Sequence, residues 1–247
     1  MSAYEAVDWL NDGNEVQIIC EALPWAQDRS ADDPEAARFK QRSFAALSDL
    51  LPIRVLVMLV ANIPGDCPNL LPDFRCGVYE RRPLVCQIYP AEVNPFLQLD
   101  KTLKGCPEDA WGSHQPLLMR GGKLVNADIQ LKIDQWRATE ELEIIVKRQT
   151  CSALQISDAS VAQEGFLVFT PPRDALLRTL DAALRGWYAV NDKLSAETPW
   201  RFVTDRSETA QSLTRSGAVV LSPSSSTAAM ACEYIGFKRQ SMASATG

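Results

Sequence analysis

The sequence predicts an α+β fold in which a loop-rich cysteine segment lies between strand-like and helical segments. Short β-branched runs and longer runs with helical periodicity occur in the same chain, which predicts both kinds of element. The stretch from 66 to 108 is rich in proline and cysteine and has no long periodic pattern. The composition, with 46% hydrophobic and 23% charged residues among 247, is that of a globular chain long enough to bury a sizeable core.

The N-terminal part predicts a strand, a loop, a helix and a second strand. The β-branched run Glu15–Cys20 predicts the first strand. The acidic patch 28–34 ends it and is typical of a solvated loop. An alanine-rich helix is predicted over 34–50, with Asp33 before Pro34 as its N-cap. The apolar run 53–61 predicts a buried strand.

The C-terminal half predicts a long helix followed by a small α/β layer. The glycine pair at 121–122 predicts a turn, and the helix is expected over 126–148. Further strands are predicted over 165–170, 200–204 and 217–221, and further helices over 172–188 and 207–215. We therefore expect a domain over 1–150, a small α/β region over 151–240 and a flexible tail over 241–247.

Charge and hydropathy restrict the classes of partner. The formal net charge of -6 argues against general nucleic-acid binding, which needs clustered Lys and Arg. The longest apolar run, Val55–Ala61, is too short to cross a bilayer, and the first residues lack an apolar signal core. These features predict a cytoplasmic protein without nucleic-acid or membrane partners. The sequence does not exclude a protein partner and does not identify one.

Four of the seven cysteines have the spacing Cys67-x8-Cys76-x9-Cys86-x19-Cys106. In a reducing compartment, such thiols are metal ligands or core residues more often than disulfides. Four thiolates are enough to hold one zinc ion or one iron–sulfur cluster. Nearby prolines stiffen the backbone and reduce the entropy lost when ligands converge. The alternative is that the thiols are core residues, because free cysteine is often buried.

The flanking residues resemble the YkgJ-like cysteine-cluster family, which is described as a putative zinc- or iron-chelating domain. The resemblance rests on Cys67-Pro-Asn-Leu, on the segment 76–90 with its Tyr, Arg-Pro, Cys and Tyr-Pro at fixed offsets, and on Gly-Cys106-Pro. It covers roughly 66–108. The upstream Cys-x-x-Cys-x-x-Cys-Cys element of the family is absent, and Gln87 stands where the family usually has Arg.

The resemblance implies a metal-binding protein that holds zinc, or alternatively iron or an iron–sulfur cluster, through Cys67, Cys76, Cys86 and Cys106. A looser similarity to the cysteine cluster of flagellin lysine N-methylases permits a protein-modifying enzyme in which the cluster is a scaffold. Against an enzyme, residues 110–240 contain no cofactor fingerprint. A third alternative is a metal-free interaction protein that retains part of a former cluster.

Several neighbouring side chains have two interpretations. Arg82 could offset thiolate charge or lie on the surface, and Tyr79 and Tyr89 could donate to sulfur or simply pack, with packing favoured. His114, the only histidine, could replace one thiolate, but a surface loop beside Gly112-Ser113 is favoured.

Other candidates are weaker still. Cys151 and Cys232 have helix-like surroundings and are interpreted as core thiols. The polar run 221–227 could place an anion at a helix N-terminus, although a connecting loop is favoured. No serine has the flanking glycines of a hydrolase nucleophile.

Overall fold

The fold is built on a mixed β-sheet, whose central strand pairs with other strands along both of its edges. The computed structural model describes residues 1–186, 199–225 and 230–238. In chain order, the helices and strands of these residues are α1 (Ala3–Asn11), β1 (Glu15–Pro24), α2 (Pro34–Gln41), β2 (Ser43–Ser48), β3 (Leu51–Asn62), α3 (Leu84–Ile88), β4 (Met119–Arg120), β5 (Lys123–Leu124), α4 (Ala127–Leu142), α5 (Ile144–Ala153), β6 (Asp158–Val161), β7 (Gly165–Phe169), α6 (Arg173–Leu184), β8 (Arg201–Val203), α7 (Ser207–Arg215), β9 (Val220–Leu221) and β10 (Cys232–Gly236).

One edge of β1 is covered by β3 along its whole length, in antiparallel register from Glu15 opposite Asn62 to Pro24 opposite Ile53. β2 extends the sheet on the far side of β3, but this pairing stops where Ser43 lies opposite Leu56. β3 is twice as long as β2, with 12 residues against 6. Within the described ranges, the last six residues of β3 therefore have no neighbouring strand on that side.

The other edge of β1 is shared by two strands. β7 pairs antiparallel with the middle of β1 and β6 pairs parallel with Glu21 and Ala22. β10 continues the sheet from β7, and β8 and β9 continue it from β6 as parallel strands. The mixed sheet with its helices is an α+β fold, as predicted. Strands from 1–150 and from 151–240 lie in this one sheet, so the two predicted regions share its core.

Helices α1, α5 and α6 cover one face of the sheet. Alternate residues of β1 are buried against them, because successive side chains of a strand point to opposite faces. The core contains Trp9 and Leu10 of α1 and Leu176 and Leu180 of α6. Phe169 of β7 and Phe202 of β8 are also fully buried there.

Most of the predicted elements are confirmed. The strands over 15–20 and 53–61 are parts of β1 and β3, and the helix over 207–215 is α7. The turn at 121–122 joins β4 to β5, and both glycines have positive φ, of 54° and 74°. The last strand is shorter than predicted, since only Val220 and Leu221 pair. The tail 241–247 and the end of the 172–188 helix lie outside the described residues.

The prediction of one helix over 34–50 is wrong in its second half. α2 ends at Gln41, and Ser43–Ser48 forms β2. Alanines and leucines suit a helix by propensity, but pairing with β3 decides the conformation here. The helix expected over 126–148 is likewise two helices, because Glu143 adopts φ −88° and ψ 2° between α4 and α5.

Sequence reasoning also missed α1 and β6. The signal for α1 was present: Ser2 accepts a hydrogen bond from the Glu5 N–H, and Glu5 accepts one from the Ser2 N–H. This is the capping box that a Ser-x-x-Glu sequence predicts. The four residues of β6 carry no comparable local signal, because Asp158 and Ser160 are polar residues buried in the sheet.

Candidate functional site

The segment that contains the four predicted ligands has almost no core of its own. Between 63 and 126, a stretch that the structure describes in full, Ile88 is the only buried residue. This confirms that the proline- and cysteine-rich sequence cannot fold around its own apolar side chains. Its position depends on contacts with the rest of the chain.

Three contacts attach this segment to the sheet and helices. The carboxylate of Glu5 accepts a hydrogen bond from the Leu84 N–H at 2.6 Å, at the start of α3. The Arg137 guanidinium on α4 donates to the Val93 carbonyl at 2.9 Å. The third contact is apolar, since the buried Ile88 belongs to α3, which packs against α4.

Cys67 and Cys76 lie at the two ends of a small hairpin. The Leu70 N–H donates to the Cys67 carbonyl at 2.9 Å, which closes a turn immediately after Cys67. Leu70 then forms a β-bridge with Cys76, and the Gly77 N–H donates to the Asn69 carbonyl at 2.7 Å. These backbone bonds hold Cys67 and Cys76 at the two ends of this compact turn.

Cys86 lies on α3 and faces the same region. Burial raises the pKa of the Cys86 thiol, and the nearby thiols of Cys67 and Cys76 raise this pKa further. The positive charge of Arg82 acts in the opposite direction and favours the Cys86 thiolate. All three cysteines line one cavity of about 410 Å³. Three of the four predicted ligands thus line the same cavity.

Cys106 is not among the residues that line this cavity. Its neighbour Gly105 donates a backbone hydrogen bond to the Tyr89 hydroxyl at 2.8 Å, which holds the Cys106 chain next to the end of α3. Within the described ranges, no group of three or more His, Cys, Asp or Glu side chains is arranged to hold a metal ion. The thiols are therefore ligands of the kind that soft metals prefer, but the described residues do not assemble all four of them into one ligand set.

Arg82 is neither a free surface charge nor a simple packing residue. Its guanidinium lies 3.9 Å from the centre of the Tyr79 ring, a cation–π contact. Its Nε is buried and has no hydrogen-bond partner among the residues that the structure describes. Arg82 also lines the cavity with the three cysteines. Tyr79 thus holds Arg82, while Tyr89 holds the chain near Cys106.

The second wall of the cavity is the part of β3 that extends beyond β2. Residues 56–61 line it, and their side chains are apolar. A further part of the wall comes from Lys147 on α5 and from Glu143, the residue directly before α5. They are 8% and 5% exposed, respectively, and Lys147 Nζ lies 3.6 Å from Glu143 Oε2.

Burial dominates the electrostatics of this pair. It lowers the pKa of Lys147 and raises the pKa of Glu143, although each charge favours the ionised form of the other. Both Glu143 carboxylate oxygens also accept a hydrogen bond from the Ala3 N–H at 2.9 Å. Sequence reasoning missed the pair, because a Glu and a Lys four residues apart are typical of an exposed helix face.

The remaining candidates lie away from the cavity lining. His114 is 62% exposed and 3.4 Å from the Asp109 carboxylate, in the surface loop that was favoured for it. Cys151 is buried in α5, which confirms a core thiol. The helix predicted around Cys232 is wrong, because this residue begins β10 and is only half-buried. Of the run 221–227, Ser222 bonds to Ser224 and Ser225 through hydroxyls, and 226–227 lie outside the described residues.

No protein-family model, curated protein or solved structure matches this chain. In the part of the chain that the structure describes, no helix has the length and apolar character needed to span a membrane.

Proposed function

We propose that residues 66–108 form a metal-binding module that holds one zinc ion through Cys67, Cys76, Cys86 and Cys106. The observation that carries this proposal is the convergence of three of these thiols on one cavity. Thiolates are the ligands of closed, structural zinc sites. The spacing of the four cysteines, with prolines beside them, supports the proposal independently of the geometry.

The lack of a core in the segment supports a structural role for the metal. With only Ile88 buried between 63 and 126, few apolar contacts stabilise the loops. A metal would supply cross-links that the side chains do not, and its binding free energy would count as folding free energy. Arg82, which favours the Cys86 thiolate, would offset part of the negative charge of a tetrathiolate site.

The proposal includes a cytoplasmic setting, since a reducing compartment keeps thiols available as ligands. All seven cysteines are free thiols. It includes neither a nucleic-acid nor a membrane partner, because the net charge is -6 and the chain lacks a basic cluster.

Elemental analysis of anaerobically purified protein, combined with its visible absorption spectrum, tests the proposal. We expect about one zinc per chain and no visible absorption. Cys86→Ser should lower the zinc content several-fold, whereas Cys232→Ser, on β10 outside the module, should leave it unchanged. If the analysis instead finds iron with sulfide and a brown colour, the same ligands hold an iron–sulfur cluster and not zinc.

A second candidate is a metal-free interaction protein. It is favoured by the finding that, among the described residues, no three potential ligands are arranged around a metal position. Large apolar side chains of the module are also exposed, including Phe74 at 85% and Leu103 at 82%. Purified protein without zinc or iron, with a melting temperature that a strong chelator leaves unchanged, would support this candidate and exclude the first.

A further inference from the structure

The cavity beside the three cysteines has the size of a small-molecule site. Its volume is about 410 Å³, within the range of roughly 300–1,000 Å³ that is typical of ligand pockets. It lies where β2 ends opposite Leu56, so that no strand of the described residues fills the space along the rest of β3. Helices α4 and α5 and the cysteine hairpin enclose this space instead.

The walls are mostly apolar. β3 contributes Val57, Met58, Leu59 and Val60, and α4 contributes Trp136. Val57 and Leu59 are almost fully buried, whereas Val60 is 38% exposed. An apolar ligand body would therefore find a preformed hydrophobic surface, with Val60 at its more open side.

Two cationic groups on the cavity wall have hydrogen-bond donors to spare. The Lys147 side chain is nine-tenths buried, and among the described residues its three N–H donors have one ion pair, with Glu143 at 3.6 Å. The Arg82 Nε is buried and lacks a partner within the described part of the chain. Buried donors without partners are unfavourable, so an acceptor placed between these walls would be stabilised.

The acids of the same wall already have partners. Glu140 accepts from Arg38 at 2.7 Å and from Arg42 at 2.8 Å. Both oxygens of Glu143 accept from the Ala3 N–H. The protein therefore uses these acceptors, whereas among the described residues Lys147 has only its ion pair with Glu143 and Arg82 Nε has no partner. This imbalance favours an anionic ligand over a cationic or neutral one.

We infer that this cavity binds a small carboxylic acid with an apolar body, the carboxylate lying towards Lys147 and Arg82 and the body lying along β3. The cavity shares Arg82 and the wall formed by Cys67, Cys76 and Cys86 with the proposed metal site, but the contacts proposed for the ligand come from α5, β3 and Arg82 and not from the thiols. A carboxylate has two acceptor oxygens, and Lys147 and Arg82 both line the cavity that would hold it. The apolar wall would select an aliphatic or aromatic body over a sugar or a nucleotide.

Isothermal titration of the full chain, as purified, with octanoate tests this inference, and octan-1-ol is the neutral ligand of the same chain length. We expect saturable octanoate binding, and binding of octan-1-ol that is weaker by about tenfold or more, which corresponds to about 1.4 kcal/mol. Lys147→Met should weaken octanoate binding by about tenfold or more. Lys123→Met, at an exposed lysine of the β4–β5 hairpin, should not change it.

Two further variants separate loss of the site from loss of the fold. Lys147→Met also removes the ion-pair partner of Glu143, so it affects the fold as well as the site. Arg82→Met tests the site independently, because Arg82 is half-buried in a loop. Val60→Trp should fill the open side of the cavity and weaken octanoate and octan-1-ol together. The inference is overturned if the folded protein binds no octanoate at millimolar concentration, if octan-1-ol binds equally well, or if both charge variants bind as tightly as the parent. Zinc content measured on the same samples reports separately on the metal site.

Discussion

The carboxylate of Glu5 accepts a hydrogen bond from the Leu84 N–H at 2.6 Å across 79 positions of sequence. Its other oxygen accepts from the Ser2 N–H at 2.7 Å. One side chain therefore completes the cap of α1 and binds the first residue of α3, the helix that carries Cys86. The position of the cysteine module is in this way linked to the helix that packs on the core of the sheet.

Removing the Glu5 carboxylate should loosen α3. We expect Glu5→Ala to destabilise the protein by about 1–2 kcal/mol, because it removes a helix cap and a charge-assisted hydrogen bond. Hydrogen exchange should accelerate at the Leu84 amide. Ser2→Ala is the matched control, since it removes the hydroxyl part of the α1 cap and leaves the Glu5–Leu84 bond. Equal acceleration at Leu84 in both variants would contradict the assigned role of Glu5.

Glu21 should make the stability depend on pH. Burial raises its pKa from 4.5 to about 7, and the charge of Arg42 offsets only part of this effect. Since the folded state retains the proton longer than the unfolded state, this contribution to stability is complete below pH 4.5 and is lost as the pH rises to about 7. Glu21→Gln should therefore gain about 2 kcal/mol relative to the parent between about pH 5 and about pH 8.

Urea unfolding at the two pH values measures this difference. The exposed Glu35 on α2 provides the control, because Glu35→Gln should shift the stability by a similar small amount at both pH values. If Glu21→Gln shows the same pH dependence as the parent, the carboxyl of Glu21 does not have a raised pKa.

Ile88 should be the apolar anchor of the cysteine module. It is 1% exposed, whereas Leu103 in the same module is 82% exposed. We expect Ile88→Ala to cost about 2–4 kcal/mol through loss of burial and the cavity left behind. Leu103→Ala should change the free energy of unfolding by less than about 0.5 kcal/mol. Equal effects of the two substitutions in chemical denaturation would show that α3 does not pack as described.

Metal removal should affect the module more than the sheet. If zinc cross-links the four cysteines, a strong chelator should unfold the module locally and accelerate trypsin cleavage after its basic residues, such as Arg75 and Lys101. Far-UV circular dichroism of the sheet and its helices should persist. Cys86→Ser should show the same cleavage without chelator, and the chelator should add little to it. Cleavage that is identical with and without chelator in the parent protein would oppose a structural metal.

Local patterns predicted the elements whose character is decided within a few residues. The run 53–61 predicted β3 and the run 207–215 predicted α7, because periodicity and burial agree there. Residues 43–48 were predicted as helix, because no local pattern in them indicates that they pair with β3. The strand β6, which begins with the buried Asp158, was not predicted for the same reason.

The residues of the candidate site also fall into two groups, those that the sequence identified and those that it did not. The four cysteines could be chosen from their spacing and from the prolines around them. Lys147, Glu143 and the β3 wall could not, because an i, i+4 Glu–Lys pair has the same sequence whether it is exposed or buried. Only the early end of β2 and the packing of α5 decide that this pair lies beside a cavity.

The sequence by itself determined the α+β class and the module without a core, and it singled out the cysteines, because composition and periodicity are local properties. Only the tertiary structure decided that strands from both regions form one sheet, that three thiols converge while Cys106 is held separately, and that Glu5 holds α3. The physical reason is that these features depend on contacts between residues far apart in the chain. Such contacts form when apolar faces are buried together, and a short window of sequence does not contain both partners.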